Sequence, residues 1–307
     1  MQITRGVIPS ALKVLIYGPE GIGKTTLASK FPDPLFIDVE GSTKQLDVAR
    51  LPDPQSWGEI IEEVKYVESS LCCKTLVIDT ADWAEMLCAK ALTNSGSIED
   101  FGYGKGYVML AEKFQALLTE LNNLIASGIH VVFTAHAQMR KFEQPDEMGA
   151  YDRWELKMQK KTAPLVKEWA DMILFCNYKT HVITTPDKKK KVQGGERVMY
   201  TTHHNCWDAK NRFGLPDMIP MDFDSIAHVV GVPKTPQIPE ELKTLMDRDG
   251  VTDEDLRMLA VSKAWVTDSE MPLFRYKKEL IDFIIQNWDK VAEIAKSETI
   301  PFDDEED

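Results

Sequence analysis

Apolar positions along this chain fall into short unbroken runs separated by stretches of helical period. "LKVLIYG" (12–18) is continuous and ends in glycine, which predicts a strand buried on both faces. Residues 24–31 predict a short helix stopped by Pro32, and "LFIDVE" (35–40) predicts a second buried strand. "SWGEIIEEVKYVESSL" (56–71) has helical spacing, with Ser56 as its cap and Glu59 three residues on. "TLVIDT" (75–80) reads as a third strand, followed by a helix to about Thr93 and a glycine-rich loop over 94–107. A long amphipathic helix over 108–127 closes at Gly128, and "IHVVFTAHA" (129–137) is a fourth strand. Residues 138–161 read as a polar loop and "TAPLVKEWAD" as a helix. "MILFCNYKTHVITT" predicts one or two strands, "DKKKKVQGGE" a turn, and "RVMYTTHH" a further strand.

Apolar strands alternating with helices imply an α/β fold, a mostly parallel sheet covered on both faces. The later strands follow one another without helices, so antiparallel hairpins are expected at one edge. The core is expected over 1–232, with a proline-rich linker at 233–239. Residues 240–296 then predict a small three-helix unit, and 297–307 an acidic tail. There is no internal repeat.

Composition narrows the picture. No segment approaches the roughly 18 apolar residues of a membrane span. The N-terminal "MQITRGVIPS" lacks the apolar core of a signal peptide, and the five cysteines form no CxxC pair. Reduced thiols and a cytoplasmic location are the expectation. Net charge is −13, so contact with nucleic acid would have to come from local basic segments. "HHNC" (203–206) matches no standard zinc spacing.

The sharpest chemical signal is "GPEGIGKT" (18–25), which fits G-x-x-x-x-G-K-[ST] between a strand and a helix. Backbone of Gly18, Pro19, Glu20, Gly21, Ile22 and Gly23 would wrap phosphates, with Lys24 on the β- and γ-phosphates and Thr25 and Thr26 opening the helix. ATP is the expected ligand. Thr25 and Asp79, the aspartate ending "TLVID", would hold Mg²⁺. Asp79 is followed by Thr80 rather than by the glutamate that AAA+ ATPases place there, so a hydrolytic base must come from elsewhere. Glu40, at the carboxyl end of the second strand, is the candidate.

"LFIDVEG", "TLVIDT" and "HVVFTAHAQMRK", in this order after "GPEGIGKT", resemble the core of RecA-type recombination ATPases. The reduced, phage-encoded RecA-like group associated with single-strand annealing is the most similar in layout, over roughly 10–230. That resemblance implies a RecA-like fold, DNA-stimulated ATP hydrolysis in the bacterial host, and Glu40 as the residue that activates water. It also implies a polar γ-phosphate sensor after the fourth strand; His136 and Gln138 both qualify. In that family two loops face single-stranded DNA. Here they correspond to 94–107, with Phe101, Tyr103, Lys105 and Tyr107, and to 138–161. The second stretch holds Arg140, Lys141 and Arg153, then Lys157, Lys160 and Lys161, against five acidic residues.

"WDAKNRFG" (207–214) sets Lys210 and Arg212 one residue apart. The plain reading is a solvated turn. By similarity to RecA-like and DnaB-like oligomers, the pair would reach the γ-phosphate of a neighbouring subunit, making the protein a ring or filament. "IPFDDEED" at the end of the chain is either a solubilising tail or a dock for a single-strand-binding or replication protein. The leading expectation is an oligomeric ATPase that binds single-stranded DNA and promotes annealing. A DnaB-like helicase motor and a nucleotide-switched loader with little turnover are the alternatives.

Overall fold

A computed structural model describes residues 5–6, 10–93, 96–143, 149–184, 190–231, 238–269 and 271–298, with the side chains of 180–184, 190–193 and 297–298 left aside. It divides into two compact units, Met1–Lys234 and Thr235–Asp307. Among the described residues no helix is long and apolar enough to cross a membrane.

The first unit opens with β1 (Lys13–Gly18), α1 (Lys24–Ala28), β2 (Pro34–Asp38), the short β3 (Ala49–Arg50) and α2 (Trp57–Ser70). β4 (Thr75–Asp79), α3 (Ala81–Thr93) and α4 (Lys105–Ala126) follow, then β5 (His130–Glu143), β6 (Ala150–Leu156) and α5 (Thr162–Trp169). β7 (Met172–Thr184), β8 (Lys190–Tyr200), β9 (Lys210–Asn211), β10 (Met218–Pro220) and α6 (Asp224–Val230) complete it. The sheet order is β10-β8-β7-β1-β5-β4-β2-β3, with β6 added to β5 and β9 to β7. β1, β5, β4, β2 and β3 run parallel, as do β1 and β7, while β8 and β10 form the antiparallel edge. The fold is therefore an α/β fold with a mostly parallel sheet and an antiparallel edge.

Alternation along the central strands explains why they read as unbroken apolar runs. Leu15, Tyr17, Ile37, Ile78 and Phe133 face one core with α2–α5, whereas Val14, Ile16, Phe36, Val77 and Val132 face the other with α1 and α6. Phe114 of α4 is fully buried, with ring centroids 5.8 Å from Trp57 and 6.4 Å from Phe133. The cap on α2 forms as its sequence requires: Ser56 Oγ accepts from the Glu59 N–H at 3.2 Å.

Two expectations need correction. Residues 138–161 are not a loop: β5 runs out of the core to Glu143 and pairs back with β6, from Ala137↔Leu156 to Glu143↔Ala150. Trp154 and Leu156 reach the core, but most other positions on these strands are polar and exposed or half-buried, so period alone made them look irregular. Phe142 and Tyr151 pair edge to face at 5.7 Å on this hairpin, giving it a small apolar contact of its own. Likewise Lys190 to Glu196 belong to β8 rather than to a turn; residues 187–189 lie outside the described residues.

The second unit holds α7 (Glu240–Asp249), α8 (Asp253–Ser262), α9 (Lys278–Gln286) and α10 (Trp288–Glu298) around Leu242, Leu256, Leu259, Ile281, Ile284 and Trp288. Among the described residues four α-helices stand where three were expected, because the last segment breaks at Asn287. Its side-chain amide donates to Phe283 O at 2.9 Å, beside its own backbone N–H at 3.1 Å. The acidic tail beyond 298 lies outside the described residues.

Candidate functional site

β1 ends at Gly18, directly beside β7: a Cβ there would stand 2.2 Å from Cys176 O, so only glycine fits. The chain then turns through Gly21 and Gly23, both at positive φ (71° and 107°), and enters α1 at Lys24. The Lys24 side chain is buried, and its ammonium donates to Gly18 O at 3.3 Å and Pro19 O at 3.1 Å. Burial lowers its pKa against the pull of nearby Glu40, Asp79 and Asp82. Ile22 is buried under the loop, while Glu20 and Thr26 are exposed on either side of it.

Asp79, fully buried at the end of β4, is ringed by hydroxyls. Thr25 Oγ1 donates to it at 2.9 Å and Ser42 Oγ at 2.7 Å, and Thr134 Oγ1 donates to its other oxygen. Thr25 and Asp79, expected to share a metal, thus do meet. A buried carboxylate with hydroxyl oxygens is the hard donor set that suits Mg²⁺.

Asp38 builds the next piece. Buried at the end of β2, it accepts from the N–H groups of Gly41 (2.8 Å), Ser42 (3.0 Å) and Thr43 (2.8 Å), and from Thr43 Oγ1 at 2.6 Å. This knot curls residues 38–43 over the end of β4, where Val39 and Glu40 N–H both donate to Asp79 O. Glu40 is thereby fixed beside the phosphate loop.

His136 lies on β5 in register with Gly18, so it sits at the same edge. It is buried, and Asp82 in the first turn of α3 grips it twice. Asp82 Oδ1 accepts the His136 backbone N–H at 3.0 Å, and Oδ2 lies 2.9 Å from Nδ1. With Nδ1 committed to Asp82, Nε2 faces Glu40 Oε1 at 3.6 Å. The site therefore contains a row, Asp82–His136–Glu40. Burial raises the Glu40 pKa, partly offset by His136. Burial would also raise that of Asp82, but the His136 hydrogen bonds reverse it and hold the carboxyl below its ordinary value.

Of the two sensor candidates, His136 faces Glu40. Gln138 instead donates to Leu156 O at 3.1 Å, across the base of the hairpin. Lys157, also at that base, stands 3.5 Å from Glu20 of the phosphate loop.

The residues expected to meet DNA divide. Tyr103 is wholly exposed, and Lys105 is exposed at the start of α4. Tyr107 donates to Glu99 and, with Arg140, Gln159, Lys160 and Lys161, lines a cavity of about 280 Å³. Two stretches far apart in sequence thus meet around one basic pocket. Lys141 is exposed opposite Asp152. Arg153 has a structural occupation: it donates to Asp208 at 2.5 Å and to Asn205 O at 2.9 Å.

Lys210 and Arg212 lie at the opposite end of the sheet, where β9 pairs with the start of β7. Lys210 donates to the carbonyls of Lys167, Glu168 and Ala170, closing the C-terminus of α5. Arg212 donates to Asp171 at 2.8 Å and remains exposed. Both point toward the same stretch, as their alternation requires.

Reading the sequence missed Asp38, Ser42, Asp82 and Thr134. The signal for Asp38 was present in "DVEGS", where an aspartate three residues before glycine marks a side-chain-closed turn.

Residues 10–213 match a family model described as an AAA domain. The chain belongs to this AAA domain family. It is an AAA-type P-loop ATPase domain, a class that binds nucleotide, typically with Mg²⁺. No curated protein matches the chain. Among solved structures, this AAA domain is similar to a KaiC-like protein from the hyperthermophilic archaeon Pyrococcus horikoshii OT3, at 13% identity and a TM-score of 0.40, covering 69% of this chain and 85% of that one. In this AAA domain the acid that stands beside Asp79 comes from the neighbouring strand end, as Glu40, because Thr80 occupies the next position after β4.

Proposed function

We propose that this protein hydrolyses ATP at the loop Gly18–Thr25 and couples hydrolysis to single-stranded DNA held beside the hairpin. The observation that carries the proposal is the convergence of Lys24, Thr25, Asp79, Glu40 and His136 at one edge of the sheet. Mg²⁺ held by Thr25 and Asp79 would supply positive charge to the phosphates. Lys24 binds the phosphates with its ammonium. Glu40 orients the attacking water and accepts its proton at a carboxylate oxygen. His136, locked by Asp82, presents Nε2 toward Glu40 at 3.6 Å.

Support for DNA comes from the pocket lined by Tyr107, Arg140, Lys160 and Lys161 and from the exposed Tyr103 and Lys105 nearby in sequence. Aromatic faces can stack on bases while the cations meet phosphate. β5 links this region to the site, since His136 and Arg140 lie on the same strand. Annealing of complementary strands by an oligomer is the activity this arrangement suits. Arg212, exposed and away from its own phosphate loop, is the residue suited to complete a neighbour's site; Lys210 is required at home by α5. The test is ATP hydrolysis with and without single-stranded DNA, read with the oligomer mass. Stimulation by single-stranded DNA in an oligomer is expected. A rate indifferent to DNA would remove the coupling, and a monomer at working concentration would remove the role of Arg212.

A further inference from the structure

β1 divides the surroundings of the phosphate loop into two sides. On one side β5, β4 and β2 bring His136, Asp79 and Glu40. On the other side stand β7 and β8, to which the reaction has so far assigned nothing. Cys176 of β7 and Met199 of β8 belong to the core on the α1 face. Alternation puts Tyr178 and Arg197, two residues further from that core, on this same face. They are a directly opposed pair in the antiparallel register, with Cβ atoms roughly 5 Å apart.

Both side chains are exposed, yet Arg197 reaches the phosphate loop. Its Nη1 donates to Ile22 O at 3.3 Å and lies 2.9 Å from where a Cβ on Gly23 would stand. Met221 borders the same spot, its methyl 3.8 Å from that position. Among the described residues Arg197 has no carboxylate partner, so a guanidinium held only by Ile22 O and an exposed phenol ring flank the loop on this side. The γ-phosphate end of a bound nucleotide must lie toward Asp79 and Glu40, where the metal and water chemistry are. Its nucleoside end then leaves on the β7–β8 side.

We propose that Tyr178 and Arg197 form the platform on which the base of the nucleotide stacks, with Met221 closing its inner end. A phenol ring and a guanidinium plane both present flat, polarisable faces to a heteroaromatic base. This rests on the reading of Gly18–Thr25 as a nucleoside triphosphate site, and it specifies how that site distinguishes a nucleotide from bare phosphate.

The experiment compares binding of ATP and of inorganic tripolyphosphate, each with Mg²⁺, to the full chain by calorimetry. Tripolyphosphate engages the phosphate loop but has no base. Tyr178→Ala and Arg197→Ala should each weaken ATP by about tenfold, the scale of one base stack, while leaving tripolyphosphate unchanged. Tyr178→Phe should retain ATP affinity, because stacking needs the ring and not the hydroxyl. Equal weakening of both ligands by Arg197→Ala would mean that it only braces the loop, and unchanged ATP affinity in both alanine variants would equally overturn the platform. Lys24→Ala should lose both ligands. Failure of the unaltered protein to bind either one would overturn the phosphate-loop reading itself, which is a distinct result.

Discussion

Asp82→Asn isolates the contribution of the Asp82–His136–Glu40 row. The amide is isosteric, and its oxygen can still accept the His136 backbone N–H that Asp82 accepts at 3.0 Å. The other Asp82 oxygen, 2.9 Å from Nδ1, becomes an NH₂ group that cannot accept. One charge-assisted hydrogen bond, worth about 1.5–3 kcal/mol, is lost. The imidazole must then leave Nδ1 bare and carry its proton on Nε2, toward Glu40. A glutamate held by a permanent donor is a weaker base. If the loss falls on the transition state, kcat drops by about 10- to 150-fold. Lys24 and the loop backbone are untouched, so the Kd for ATP should stay within about twofold. Phosphate release measured at saturating ATP, with nucleotide titration on the same folded sample, reads both quantities. An unchanged kcat, or a loss of affinity equal to the loss of rate, would refute the positioning role of Asp82.

Other consequences follow from the same geometry. Glu40 must be ionised to take a proton, and burial holds its pKa above the ordinary 4.5. Activity should therefore fail on acidification earlier than for a solvated glutamate; an acid limb of kcat/KM at or below 4.5 would contradict the buried-base assignment. Replacing Tyr103 and Lys105 together should weaken single-stranded DNA binding and leave basal ATPase intact, since Tyr103 is wholly exposed; undiminished DNA affinity would count against that segment. Lys210→Ala should cost about 1 kcal/mol and lower Tm by about 2–4 °C, because three carbonyls at the end of α5 lose their donor. Arg212→Ala should leave Tm nearly unchanged, lose ATPase, and regain it on mixing with Lys24→Ala; no recovery would return Arg212 to a plain surface ion pair with Asp171.

The parts of the fold that were legible in the sequence are those whose burial is complete. β1, β2, β4 and β5 show as apolar runs because both faces are covered, and Ser56 and Glu59 mark the start of α2 because a cap is a local device. The hairpin 138–156 was illegible because few of its positions beyond Trp154 and Leu156 reach the core, and the break at Asn287 because buried Ile281, Ile284, Trp288 and Val291 keep helical spacing across it. The site shows the same division. Asp79 and Glu40 could be located because each is tied to a strand end, and Lys24 and Thr25 because a glycine-rich loop leads from a strand into the helix that they open. Asp82, Ser42 and Thr134 act through partners 37 to 55 residues away in sequence, and nothing local announces such a pairing. The structural duties of Arg153 and Lys210 were hidden for the same reason: their partners lie 40 to 55 residues distant.

Glu40→Gln tests the central claim most directly. ATP binding and single-turnover hydrolysis should be measured on the same preparation, with and without single-stranded DNA. Binding should match the unaltered protein, while hydrolysis falls by about 100-fold or more, the range of a lost general base. Hydrolysis at the unaltered rate would show that the base lies elsewhere.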